Sequence, residues 1–309
     1  MLNDFSGRSI RWWIFLRERF APRASVPIIG AYFGANAILA AGLAHTAPTA
    51  ARVLATLLVV VLLVFLRLRI FDDIKDATRD QHEHPERPLA RGLITVREAK
   101  QAATIVAFFE LAFALLAGPL ATAAWCIVLA YSLLMYREFF AGTWLRPRME
   151  LYAASHTLIA AWLGLFIIVA ATSRWPWELP NAVWLLLGVN WATFNVFEFA
   201  RKSWGIDEER PASPSYSNRW TPGGAVILTL SQALPAAAAS AVLLSSSSLR
   251  TLAVLALSAL SVLGLAAAAA YVVRPFRHCA LIYRGTMSFF IFAIYGILLL
   301  FAAQVDVPS

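Results

Sequence analysis

The feature that most constrains this chain is a series of nine apolar stretches, at 26–43, 53–70, 102–117, 120–136, 151–172, 182–200, 225–244, 252–273 and 288–304. Each is close to the roughly 20 residues a helix needs to cross a bilayer. In hydrocarbon a segment must satisfy its own backbone polar groups, so stretches of this kind are read as helices. The sequence therefore predicts an all-α, polytopic membrane protein, with nine transmembrane helices forming one domain over 26–304. Only 14% of the 309 residues are charged, whereas a soluble domain carries about a quarter. A soluble enzyme is excluded on that ground, and no nucleic-acid partner is expected.

Residues 1–25 are different. Arginines from Arg8 to Arg23 alternate with Trp12, Trp13 and Phe15, a composition that predicts an amphipathic helix lying in the interface. Gly118-Pro119 predicts a very tight turn between the third and fourth spans. Segments seven and eight are rich in Ala, Ser and Leu, which suits close helix packing. Cys126 lies in an apolar stretch and Cys279 in what reads as a basic loop, so no disulfide or metal framework is expected.

Charge orients the nine-helix reading. With the N-terminus inside and the loops alternating, only Arg52, Arg174 and Arg250 of the 26 Lys and Arg residues fall outside. The positive-inside rule predicts this asymmetry. The 18 acids follow, except Glu110 within segment three, Glu178 and Asp306. The outer loops are short, so chemistry is expected at the cytoplasmic face of the cytoplasmic membrane.

At that face, directly behind segment two, stand Asp72, Asp73, Asp76 and Asp80. Four carboxylates at a helix mouth repel one another and are costly beside hydrocarbon. The spacing places Asp73, Asp76 and Asp80 on one helical face, with Asp72 beside Asp76 one turn on. Oxygen-only ligands suit Mg²⁺, which takes one or two carboxylates and completes its shell with water and substrate phosphates. A diphosphate site at a membrane surface follows, and a solvated acidic loop is the bland alternative.

Asp-Asp-Ile-Lys-Asp-Ala-Thr-Arg-Asp at 72–80 resembles the first signature of the UbiA superfamily of intramembrane prenyltransferases, Asn-Asp-x-x-Asp-x-x-x-Asp, with Asp72 in place of the first Asn. Arg87-Pro88-Leu89 with Gly92 is similar to the Arg-Pro-Leu-x-x-Gly that follows in that family. The resemblance implies a UbiA-like bundle with a central cavity open to the cytoplasmic side. It also implies Mg²⁺ as cofactor, a prenyl diphosphate as substrate and the membrane lipid as surroundings. Asp72, Asp73, Asp76 and Asp80 would then be the main metal and catalytic site, with Arg87 on the diphosphate.

That family carries a second Asp-rich motif at the end of the sixth helix, and here the chain departs from it. The corresponding stretch offers Asn195 and Glu198, three apart on one face, then Arg201 and Lys202. Asn195 and Glu198 are expected to supply oxygens to a weaker second metal, and Arg201 and Lys202 to grip diphosphate directly, Arg by a fork and Lys as a point charge. A helix end with snorkelling cations is the structural alternative. Arg137 sits where the family often places a basic diphosphate contact, or is an interfacial anchor.

Other polar residues read more plainly. Arg146 and Arg148 are anchors, His82 and His84 loop residues, and Tyr216 part of a polar loop before segment seven. Glu110, His156, Asn190 and Gln232 interrupt spans, where function and interhelical hydrogen bonding compete. Glu110 is expected to be protonated if unpaired and is given no catalytic role; Asn190 is expected to line the same cavity as Asn195. Tyr131 and Phe194 are candidates to face a carbocation.

The expected activity is Mg²⁺-dependent ionisation of a prenyl diphosphate and transfer of its chain to an aromatic or lipid acceptor. Asp72-Asp-Ile-Lys-Asp76 also reads as the Asp-Asp-x-x-Asp of class I terpene synthases, so cyclisation by a UbiA-type terpene cyclase is the nearest rival. A non-catalytic lipid-binding or transport protein is the third reading.

Overall fold

The computed structural model describes residues 2–47, 49–210 and 213–302. Gln304, at the end of the ninth expected span, and Asp306 lie outside them. Among the described residues nine helices are long and apolar enough to cross a membrane. No strand forms there; Arg210 and Ser213 make an isolated bridge.

Helix α1 (Leu2–Phe15) runs through a π-helical turn, Leu16–Phe20, into α2 (Pro22–Leu43). There follow α3 (Ala51–Glu83), α4 (Val96–Ala117) and α5 (Pro119–Tyr136), a 3₁₀ turn at Glu138–Phe140, and the short α6 (Gly142–Leu145). Next come α7 (Met149–Thr157), α8 (Ile159–Thr172), α9 (Asn181–Arg201), α10 (Tyr216–Leu243), α11 (Arg250–Val273) and α12 (Arg277–Ala302). Successive spans pack side by side, and α12 returns to α2, so the bundle closes into a ring.

Helix α8 lies inside that ring, against α2, α3, α5 and α9. Its residues from Leu163 to Thr172 are all buried, as expected of a helix that is apolar all round. The closest approach is at Gly164, where a Cβ would stand 2.3 Å from Asn190 Nδ2 and 3.1 Å from Asn36 Oδ1. Glycine there lets α8 press on a polar knot in the core. Asn190 donates to Asn36 Oδ1 (2.7 Å), Asn36 donates back (3.3 Å), and Tyr295 donates to Asn190 Oδ1 (3.1 Å). All three residues are fully buried, and the knot ties α2, α9 and α12 together. Asn190 therefore joins helices and does not line a cavity with Asn195, because its amide is spent on neighbours.

A second polar knot joins α3, α4 and α5. Arg67 Nε and Nη2 donate to Glu110 Oε1 and Oε2 at 2.8 and 2.9 Å. Trp125 Nε1 donates to Glu110 (2.9 Å), and Arg67 Nη1 to Ser132 (2.6 Å). Arg67 thus lies in the helix interior, fully buried. Glu110 is a paired acid.

Several boundaries move for local reasons. The Ser-Tyr-Ser-Asn-Arg-Trp stretch at 215–220 is the capped start of α10 and not a loop, since Ser215 Oγ accepts from Asn218 N–H (2.9 Å). The helix then kinks at Thr221, φ +63°, ahead of Pro222. Helix α12 begins at Arg277, so Cys279 sits on a helix and not in a loop. The fifth span breaks at Leu158. Thr157 Oγ1 bonds the carbonyls of Ala153 and Ala154 (2.9 and 3.2 Å) there, a side-chain competition that bends helices. Helix α1 packs against the protein: Phe15 is buried with Ile70, Ile94, Ala99 and Ala103, and Arg11 pairs with Glu98 at 3.1 Å.

Candidate functional site

The acidic run lies on the last three turns of α3, which continues helical to Glu83 without a break. Its carboxylates therefore keep the helical spacing the sequence implies. Asp73 and Asp80, two turns apart, are 3% and 2% exposed. Asp76 is half-buried between them, and Asp72 is exposed.

Each carboxylate meets a cation. Arg19, from the π-turn after α1, places Nε and Nη2 at 2.8 and 2.5 Å from Asp73 Oδ1. Asp73 Oδ2 is buried without a hydrogen-bond partner, 3.8 Å from Arg69 Nε. Arg87 Nη1 donates to both oxygens of Asp80, at 2.7 and 2.8 Å. Lys75 stands 3.4 Å from Asp72, and Arg79 3.0 Å from Asp76.

The loop that brings Arg87 to Asp80 explains its own sequence. Pro88 carbonyl accepts from Leu93 and Ile94 N–H (2.9 and 3.4 Å), and Gly92 closes the turn at φ +75°, where glycine carries no Cβ penalty. Leu89 packs on the Phe15–Ile70–Ile94 cluster. Thr95 and Glu98 then cap α4 reciprocally: Glu98 N–H donates to Thr95 Oγ1 (3.1 Å) and Thr95 N–H to Glu98 Oε2 (2.8 Å), the Thr-x-x-Glu box.

The second motif ends α9 at the same end of the bundle. Glu198 accepts from Arg201 Nε at 2.6 Å and lies 3.0 Å from Lys202 Nζ. Arg201 is close enough to α3 to interact electrostatically with Asp72 and Arg69. Asn195 faces elsewhere. Its oxygen accepts from Thr157 Oγ1 (2.5 Å), and its nitrogen donates to Gln232 (3.2 Å). The structure thus brings Glu198, Arg201 and Lys202 into the neighbourhood of the acidic run, and uses Asn195 to bridge α7, α9 and α10. Arg137 is exposed.

Among the described residues no three His, Cys, Asp or Glu side chains converge on a common point. The donor set still fits a hard divalent cation by chemistry, being all oxygen. Asp73 Oδ2, a buried oxygen lacking a hydrogen bond, is the atom most in need of one.

Several neighbours escape a motif search. Arg19 belongs to a segment whose arginines read as interfacial. Lys75 lies inside the run itself, three residues from Asp72, a signal the sequence does contain. It stands 6.0 Å from the Tyr152 ring centroid, and Tyr152 stacks on His156 at 3.9 Å. Between α5 and α7 the chain passes through Glu138, Phe139 and Phe140 with φ of +49°, +55° and +55°. Left-handed backbone costs L-residues about 1–2 kcal/mol each, so this turn is strained.

The loop after α9 is held by Glu208, which accepts from Arg284 at 2.9 Å on each oxygen and from Gly205 N–H at 2.9 Å. Burial alone would push its carboxyl up; the bonds from Arg284 and Gly205 outweigh this and hold it below the usual carboxylate range.

Phe65 and Phe194 stack at 6.0 Å, with Tyr32 edge-on to Phe65. A groove of about 410 Å³ among Leu43, Asn181, Leu185, Leu243 and Ser245 lies at the other end of the bundle from the acids.

Comparison with known proteins gives one answer. Residues 33–294 match the model of the UbiA prenyltransferase family. A solved structure of digeranylgeranylglyceryl phosphate synthase shares 15% identity, with a TM-score of 0.63 over 94% of this chain and 98% of the other. The apo structure of a UbiA homologue from Aeropyrum pernix K1 shares 16% identity, with a TM-score of 0.65 over 88% of this chain and 98% of the other. Among curated proteins no relative was found.

Proposed function

The chain belongs to the UbiA prenyltransferase family, and from that premise we propose that it is a Mg²⁺-dependent enzyme that ionises a prenyl diphosphate and transfers the chain to an acceptor. The observation that carries this reading is the pairing of buried Asp73 with Arg19 and of buried Asp80 with Arg87. Buried charges are retained at a membrane mouth chiefly where a charged ligand is handled. Arg19 and Arg87 occupy carboxylate oxygens that a metal would claim, and their own N–H groups are the donors a diphosphate would claim.

In this reading Asp72, Asp73, Asp76 and Asp80 hold Mg²⁺, and Glu198 contributes to a second ion. Asn195 contributes only if it gives up Thr157. The chemistry Mg²⁺ supplies when bound is neutralisation of charge on the departing diphosphate. Arg87, Arg201 and Lys202 bind diphosphate oxygens as preorganised donors, and Arg137 is free to reach the same group. Arg19 turns from Asp73 to the ligand. The isoprenoid chain lies among the aromatic side chains of the bundle, where Phe65, Phe194 and Tyr32 present ring faces to a cation and exclude water. The mouth is cytoplasmic in this reading, because the bundle end that carries the Asp run, Arg137 and Arg201 holds most of the Lys and Arg.

The test is release of diphosphate from a prenyl diphosphate by purified protein with Mg²⁺. Asp73→Ala with Asp76→Ala should abolish it. Full activity in that double variant would sink the assignment. A cyclic hydrocarbon formed without any acceptor would favour a cyclase over a transferase.

A further inference from the structure

His156 is a half-buried titratable group that the ion pairs of the site leave without a task. Its Nδ1 lies 2.7 Å from the Tyr152 carbonyl oxygen. A carbonyl only accepts, so Nδ1 carries the proton and Nε2 presents a bare lone pair. That Nε2 is buried and has no hydrogen-bond partner. A buried acceptor without a donor is unfavourable, and the missing partner must be an O–H or N–H.

The surroundings say what kind of molecule brings it. Tyr152 stacks on the imidazole at 3.9 Å and 16°, and Phe139 meets it edge-on at 5.5 Å. Tyr131 lies 5.5 Å from Phe139 and 6.0 Å from Trp162, whose Nε1 is a second buried polar atom without a partner. Lys75, paired with Asp72 at 3.4 Å, reaches the Tyr152 ring. His156 is therefore one aromatic ring away from the carboxylate run. Phe139 walls the imidazole from the connection between α5 and α7, on backbone held in the left-handed region.

We infer that His156 Nε2 receives the hydroxyl proton of the acceptor, so that the acceptor is a hydroxyl compound entering between Phe139 and Tyr152. The inference rests on the transferase reading and names the acceptor class for that site. The acceptor oxygen forms a bond to C1 of the prenyl group. The C1–O bond to diphosphate breaks, its electron pair leaving with diphosphate. The O–H bond breaks, and its proton passes to Nε2, to be returned to water after product release.

The test uses the full chain in detergent with ¹⁵N-histidine, probed with phenol and with anisole, which lacks the donor. His156→Phe identifies the Nε2 resonance by its loss. Phenol should move that resonance and anisole should not. Equal response to both, or none to phenol, would overturn the inference. Phe139→Ala should raise phenol affinity several-fold; an unchanged or weaker affinity removes Phe139 from the entrance.

In transfer assays with phenol, His156→Phe should lose about 100-fold or more in product formation, and His156→Gln, which keeps an acceptor oxygen, should lose less. A wild-type rate in His156→Phe would refute the proton transfer. If the wild-type protein releases no diphosphate, the transferase reading fails and the transfer step with it. If it releases diphosphate while phenol leaves Nε2 unmoved, the His156 inference alone fails.

Discussion

Arg67 and Glu110 form a two-pronged ion pair, 2.8 and 2.9 Å, with neither side chain exposed. Truncating one partner of a buried pair strands the other and costs about 3–5 kcal/mol. Arg67→Leu and Glu110→Leu should each lower the thermal midpoint in detergent strongly. The double variant should recover much of the loss, because an apolar pair of similar volume strands no charge. Additive losses in the double variant would contradict this.

Gly164 admits Asn190 at a distance no Cβ tolerates. Gly164→Ala should cost about 1–3 kcal/mol, the usual range for overpacking a core. Thermal unfolding measures it, and a midpoint equal to wild type would show that α8 shifts freely.

Arg19 competes with a cation for Asp73. In the absence of substrate, Mg²⁺ should raise the midpoint of the wild-type protein. Arg19→Ala should reach half the effect at a lower Mg²⁺ concentration, and Asp73→Ala should abolish it. An Arg19→Ala variant that needs more Mg²⁺ would mean that the arginine assists binding instead.

Glu208 has a carboxyl held below its ordinary value by Arg284 and Gly205. A group whose folded pKa is depressed contributes stability above its unfolded pKa and loses it as pH falls through the folded value. Stability should therefore fall on acidification below about pH 4.5, the unfolded glutamate range. Glu208→Gln should be less stable at neutral pH and flatter across that window. Parallel pH curves for the two proteins would exclude the link.

The spans were legible because a bilayer leaves a chain few choices, and the Asp run was legible because helical spacing alone puts its acids together. Partners across helices were not. Glu110 read as an acid to be protonated if unpaired; two arginines, Arg67 and Arg69, precede the acidic run, and only packing decides that Arg67 turns to α4 and Arg69 to Asp73. Asn190 and Asn195 look alike in sequence and sit on one helix; one is tied to Asn36, the other to Thr157. The left-handed turn at Glu138–Phe140 carries no glycine to announce it. Arg19 lies too far away in sequence for any local motif to include it.

Helix α3 spans 33 residues, about 50 Å at 1.5 Å per residue, where hydrocarbon is about 30 Å thick. Arg67 locks it to its neighbours lower down, and Asp72 to Asp80 ride on the same rigid rod above. Adding or removing one residue between Arg67 and Asp72 would swing every acid by about 100°. Arg19 and Arg87 would then face bare helix. Length variation among kin should therefore be forbidden in this stretch and collect in connections at the other end of the bundle, such as 173–180, and an inserted alanine after Leu68 should be more damaging than any single charge removed from the run.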